Sequence, residues 1–142
     1  MKRIYDTGLP GKSSHAALLI FRVVAAGLML THGIPKLQKL FSGGEIQFVD
    51  PFGLGLVVTL VLVVFAEFFC SILVLLGLLT RLAVIPLMIT MATAATVVHA
   101  NDPFGVKEKA LLFLLIFALL LVFGSGRYSV DRILEKNKSS KR

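Results

Sequence analysis

Residues 54–79 read LGLVVTLVLVVFAEFFCSILVLLGLL. The run is 26 residues long and holds one charged side chain, Glu67. About 20 predominantly apolar residues cross the roughly 30 Å of bilayer hydrocarbon. A helix over 54–79 is therefore long enough to span a membrane with some tilt.

Three further apolar runs flank it. The first covers residues 15–34, with Ser13 and Ser14 as candidate caps and Pro35 marking an end or a kink. No small-residue cleavage site follows it, so it reads as a retained helix and not a signal peptide. A tight turn at Thr80-Arg81 precedes the run over 82–99, whose Pro86 falls in the first turn or two. Residues 100–105, with Asn101, Asp102, Pro103 and Gly105, carry a strong turn signal. The last run covers 106–123 and ends at Gly124-Ser125-Gly126. The expected fold is all-α, an integral membrane four-helix bundle. Its parts are a cytoplasmic amino-terminal segment (1–14), a four-transmembrane-helix domain (15–126) and a basic cytoplasmic tail (127–142). The connection over 36–53 is the longest, and is expected as an interfacial loop with room for a short amphipathic helix.

Composition agrees. Of the 142 residues 56% are hydrophobic and 16% charged, against about half and a quarter in soluble domains. The net charge of +7 raises nucleic-acid binding, but most basic residues flank apolar runs, where topology explains them better and no nucleic-acid partner is needed. Lys2, Arg3, Lys12, Arg81, Arg127, Arg132, Lys136, Lys138, Lys141 and Arg142 fall on one side of a four-span chain; Lys36, Lys39, Lys107 and Lys109 fall on the other. Ten against four places both termini in the cytoplasm. The single cysteine, Cys70, excludes an intrachain disulfide and a CxxC redox pair, and reads as a small buried hydrophobe. GxGxxG and GxxxxGK[ST] patterns are absent, and no haem, flavin or nucleotide motif is present.

Ionisable residues inside hydrocarbon are costly and usually functional. Arg22 and Glu67 are two such residues, of opposite sign, on helices joined by one loop. A guanidinium fork on a carboxylate best offsets desolvation, so the sequence predicts an Arg22–Glu67 pair. Two roles stand open for it: a staple that fixes helix packing, or a catalytic pair in which Glu67 lines a polar cavity and handles a proton or a ligand.

A second group gathers at the outer surface. His32 and Lys36 are four apart and share a helix face; His99 and the Lys107-Glu108-Lys109 triplet lie at the same depth. The readings are polar helix ends, a proton relay or quinone contact by His32, Lys36, His99 and Glu108, or a His32–His99–Glu108 metal set. Histidine titrates near neutrality and suits the second. No close ligand spacing supports the metal, and none is expected. Ala25, Ala26 and Gly27 on the first helix and Ala92, Ala94 and Ala95 on the third suit close helix approach. Thr90, Thr93 and Thr96 form a ridge whose hydroxyls would bond their own helix carbonyls. Phe65, Phe68, Phe69, Phe113 and Phe117 read as lipid- or bundle-facing surface.

These residues resemble the DoxX family. Arg22, Gly27 and His32-Gly33-Ile34-Pro35-Lys36-Leu37 are similar to its first-helix pattern. Glu67 with Leu76-Gly77-Leu78-Leu79-Thr80-Arg81 resembles its second signature; His99, Glu108-Lys109-Ala110, Gly124-Ser125-Gly126 and Tyr128-Ser129-Val130-Asp131 match its later ones. The resemblance covers residues 16–133 and implies a small bacterial inner-membrane protein. Relatives include the DoxD subunit of an archaeal thiosulfate:quinone oxidoreductase, and others are linked to membrane redox complexes. The function expected is a membrane subunit of a quinone-linked redox system. The alternatives are a non-catalytic anchor or assembly factor for a membrane or periplasmic partner, a small-solute transporter working as an oligomer, and an interfacial lipid-binding protein.

Overall fold

The structure, a computed structural model, describes residues 11–139, and every regular element among them is helical. They are α1 (Gly11–Phe41), α2 (Leu56–Leu76), α3 (Thr80–Val98), α4 (Phe104–Phe123) and the short α5 (Val130–Ser139). Three of them, α1 to α3, are long and apolar enough to cross a membrane. The 20-residue α4 is as apolar in its later turns, but Lys107, Glu108 and Lys109 crowd its start.

The expected boundaries hold in outline and shift in detail. The first helix continues through Pro35 to Phe41. A proline removes only its own backbone donor and crowds one carbonyl, and here the helix absorbs that loss. Ser13 and Ser14 lie within α1 and do not begin it. The chain over 42–55 contains no amphipathic helix. It is an irregular strap, with Gly43, Gly53 and Gly55 at positive φ. Asp50 ties the strap to α2: its carboxylate accepts the Leu54 and Gly55 N–H groups at 2.9 and 2.7 Å and the Thr59 hydroxyl at 2.9 Å. The Gly55 N–H first, then Thr59 and Leu54, hold the Asp50 carboxyl below the usual aspartate range.

The turn after α2 comes before Thr80-Arg81, at Gly77 to Leu79. Gly77 ends α2 at φ 70°, with Gly77 N–H on Val74 O and Leu78 N–H on Leu73 O, which is the Schellman arrangement. Leu79 also adopts positive φ, 50°, a conformation that a β-carbon disfavours. Asp131 stabilises it by accepting Leu79 N–H at 2.8 Å. Beyond Gly126, the stretch expected as a plain basic tail carries α5.

The core is a seam of small and medium side chains: Ala25, Ala26 and Met29 of α1, Cys70 and Val74 of α2, Ala83, Val84, Leu87 and Met91 of α3, Phe117 and Leu120 of α4. Ala95 is in that seam, but Gly27 faces outward with open space beside it. Outside the seam, Phe21, Val57, Leu62, Phe69, Leu82, Ile89, Leu115 and Val122 are exposed on the flanks of the four long helices. A band of this kind is stable against lipid and not against water.

Two features position the site. A β-carbon on Gly33 would lie 2.6 Å from the Glu67 carbonyl oxygen, so α1 and α2 touch backbone to backbone there. Both walls beyond that contact widen into π-helix: Phe65–Cys70 in α2, which includes Glu67, and Ala94–Val98 in α3, which ends at His99. Such bulges recur at functional sites because they re-aim a side chain within an otherwise regular helix.

Candidate functional site

Glu67 is 2% exposed in the widened part of α2. Its Oε2 lies 2.5 Å from the Lys36 ammonium, reaching in from the last turns of α1. The Lys36 side chain stays 28% exposed.

The predicted Arg22–Glu67 pair is absent. The Gly33–Glu67 contact sets the register of α1 on α2, and the same register puts Arg22 beside Gly77. Ten residues separate Glu67 from Gly77, roughly 15 Å of helix rise. Arg22 therefore serves the opposite end of the bundle. Its guanidinium donates to the Ser125 carbonyl, and to the Tyr128 carbonyl at 2.7 Å. A side chain at Gly77 would collide with that guanidinium, so Arg22 binds the segment after α4 and does not meet the candidate catalytic carboxylate.

Two adjoining cavities share Lys36, Glu67, Ala94 and His99. The larger, about 330 Å³, is bounded by Phe48, Pro51 and Phe52 of the strap, Thr59 and Val63 of α2, and Ile89, Thr90 and Thr93 of α3. The smaller, about 200 Å³, is bounded by Met29, His32, Lys109 and Phe113 among others. So His32, Lys36 and His99 converge as expected, and Glu67 joins them from the group expected deeper in the membrane. Glu108 is exposed and does not line either cavity; Lys109 takes that place. The two are adjacent on α4, hence about 100° apart around it.

His32 meets the Phe113 ring edge to face, 6.1 Å between centroids, and Phe113 stacks on Phe117 at 5.9 Å. His99 Nδ1 lies 2.6 Å from Asp102 Oδ2. With Nδ1 donating to that carboxylate, Nε2 is the ring nitrogen left for another partner. Lys107 fixes the same turn by donating to the Ala100 carbonyl at 2.7 Å. In the sequence Asp102 belongs to a turn signal, and the His99-x-x-Asp102 spacing is what marks it as a partner of the histidine. Thr90 and Thr96 donate to the Pro86 and Ala92 carbonyls, as their positions suggested. Among the described residues no three His, Cys, Asp or Glu side chains gather on one point, so the His32–His99–Glu108 set has no geometry behind it.

The arrangement is a buried acid, a partly wet lysine and a carboxylate-braced histidine around a chamber whose larger part is otherwise walled mainly by apolar side chains. It can hydrogen-bond the polar edge of a flat apolar molecule, and it can hold a proton at Glu67 or His99.

Comparison with known proteins gives a family. The DoxX profile matches residues 17–100, a stretch that includes Lys36, Glu67 and His99. An uncharacterized protein of Haemophilus influenzae is 25% identical over 138 residues, covering 92% of this chain and 91% of the relative. No solved structure matches the chain significantly. More than half of the chain fits the family profile and its helices are those of a membrane protein: the chain belongs to the DoxX family.

Proposed function

We propose that this protein is the membrane subunit of a quinone-linked redox system, and that a quinone head group occupies the chamber around Lys36, Glu67 and His99. The observation that carries the reading is the Lys36–Glu67 pair at the edge of a 330 Å³ cavity otherwise walled mainly by apolar side chains. Cavities of this size, mostly apolar with a few convergent polar groups, are the usual form of small-molecule sites. The donor set suits the ligand. A quinone offers two carbonyl acceptors on a flat apolar ring; Lys36 supplies a charged donor, His99 Nε2 a second donor when its ring is doubly protonated, and Phe48, Phe52 and Ile89 an apolar wall. Bound quinone supplies two-electron, two-proton chemistry. The chain orients the ring and keeps bulk water from it. It also offers Glu67 and His99 as proton-holding groups, with Asp102 bracing the His99 ring.

Topology belongs to the same reading. With α4 as a fourth span, the chain sits in a bacterial inner membrane with both termini cytoplasmic, as ten basic residues against four favour. The chamber then opens toward the outer side and Arg22 lies toward the cytoplasm.

The test is extraction of protein purified from native membranes, with analysis of the organic phase for quinone. Near-stoichiometric quinone is expected in wild type and a loss of most of it in Lys36→Ala and in His99→Ala. Wild type without quinone would remove this reading and leave the anchor or assembly role, to be pursued through partners. Flux in proteoliposomes would instead favour transport.

A further inference from the structure

We propose that α5 is a docking surface for anionic phospholipid, seated with its apolar face on the leaflet next to the Gly77 end of the bundle. The inference rests on the membrane placement of the chain and is independent of the quinone site.

The spacing comes first. Val130, Ile133, Leu134 and Asn137 fall at intervals of three and four, on one face of the helix. The bundle does not cover that face: Ile133 is 59% exposed and Leu134 53%, and Tyr128 just ahead of the helix is 56% exposed. The charge comes second. Residues 127–142 hold Arg127, Arg132, Lys136, Lys138, Lys141 and Arg142 against Asp131 and Glu135. Both acids are engaged. Asp131 accepts the Leu79 and Thr80 N–H groups, and Glu135 pairs with Arg132 at 2.5 Å. Exposed Arg127 and Lys136 leave the surface net positive.

The anchorage comes third. Asp131 N–H donates to Gly77 O at 3.0 Å, Arg22 holds the Tyr128 carbonyl, and the Ser129 hydroxyl donates to Gly126 O at 2.7 Å. These bonds fix the first turn of α5 against the α2–α3 turn. Exposed Leu76, Leu79, Leu82 and Phe123 begin the apolar belt of the bundle there. An apolar stripe with basic neighbours, held at the end of such a belt, fits the headgroup boundary of a membrane. A second copy of the chain is a poorer fit, since two basic tails repel. Each basic residue near an anionic surface favours docking by roughly fivefold.

The full-length protein is placed in nanodiscs of phosphatidylcholine alone or with phosphatidylglycerol mixed in, carrying a fluorophore on Asn137→Cys. Cys70, 2% exposed, stays unlabelled. In the anionic discs the label is expected to be shielded from iodide and quenched by doxyl-lipid, with added salt reversing much of the effect. Lys136→Gln and Arg127→Gln should each lower the docked-to-free ratio roughly fivefold, and Ile133→Ser with Leu134→Ser should abolish docking. Equal iodide access in both compositions would overturn the proposal. So would shielding that appears in zwitterionic discs only when two copies share a disc, which would make the face a self-association surface.

Discussion

At the scale of single residues, the Lys36–Glu67 pair decides what the chamber can do. A carboxylate 2% exposed is tolerable as an anion only because an ammonium lies 2.5 Å away. Removing the cation alone leaves a buried charge without a partner, which costs more than the pair contributes. Lys36→Met is therefore expected to destabilise the protein by roughly 3 kcal/mol, the low end for a broken buried pair, since Lys36 keeps some contact with water. Lys36→Met with Glu67→Leu should recover most of that loss. Unfolding titrations in mixed micelles of the four proteins of this cycle measure it. Equal destabilisation in the single and double variants would show that Glu67 is held by something other than Lys36. Glu67 itself was legible from the sequence, since one acid in a largely apolar run of 26 residues stands out. Its partner was not: opposite sign and approximate depth selected Arg22. Only the register of α1 on α2, set by one glycine contact, distinguishes Arg22 from Lys36.

At the scale of elements, Gly33 carries that register. Its missing β-carbon lets α1 lie against the Glu67 backbone, and the α2 π-helix opens at the same place. Gly33→Ala must push the helices apart, because the obstructing atoms are backbone. The expected cost is about 1–3 kcal/mol, together with weaker quinone retention as Glu67 and Lys36 separate. Gly27→Ala is the control. It sits on the same helix with open space beside it and should be neutral or mildly stabilising. Thermal unfolding of both variants in one detergent checks this; matching losses would mean that the effect is one of glycine in α1 generally. The four long helices could be read from hydropathy and length because lipid imposes both. The π-helical turns could not. They lie where Gly33 meets Glu67 and where α3 runs into His99, and a widening of one turn leaves no periodic trace in an apolar run. The strap over 42–55 is the loop expected, and only the short amphipathic helix for which it had room is absent. Its apolar residues Phe48 and Phe52 answer to the chamber wall, not to a helical repeat.

At the scale of the whole molecule, the bundle has two polar ends with an apolar seam between them. At one end Lys36, Glu67 and His99 surround the chamber. At the other, Arg22 from α1 and Asp131 from α5 draw the α2–α3 turn and the segment after α4 into one closure. The family signatures quoted from the sequence, Leu76 to Arg81 and Gly124 to Asp131, meet in this closure, although nothing in either stretch alone announces it. The separation predicts independence. Arg22→Met leaves the Ser125 and Tyr128 carbonyls without their donor, a loss of about 1–3 kcal/mol confined to that end. Hydrogen exchange over 124–131 should then quicken by roughly ten- to a hundredfold, since each 1.4 kcal/mol of opening energy is a factor of ten. Exchange around Glu67 should stay within twofold or so, because sites more than about 10 Å apart without shared partners act additively. Quinone retention should persist in the same variant. If Arg22→Met instead released quinone while Gly33 and Lys36 stayed intact, the two ends would be coupled through α1, and the chamber would answer to the closure at the Arg22 end as well as to its own walls.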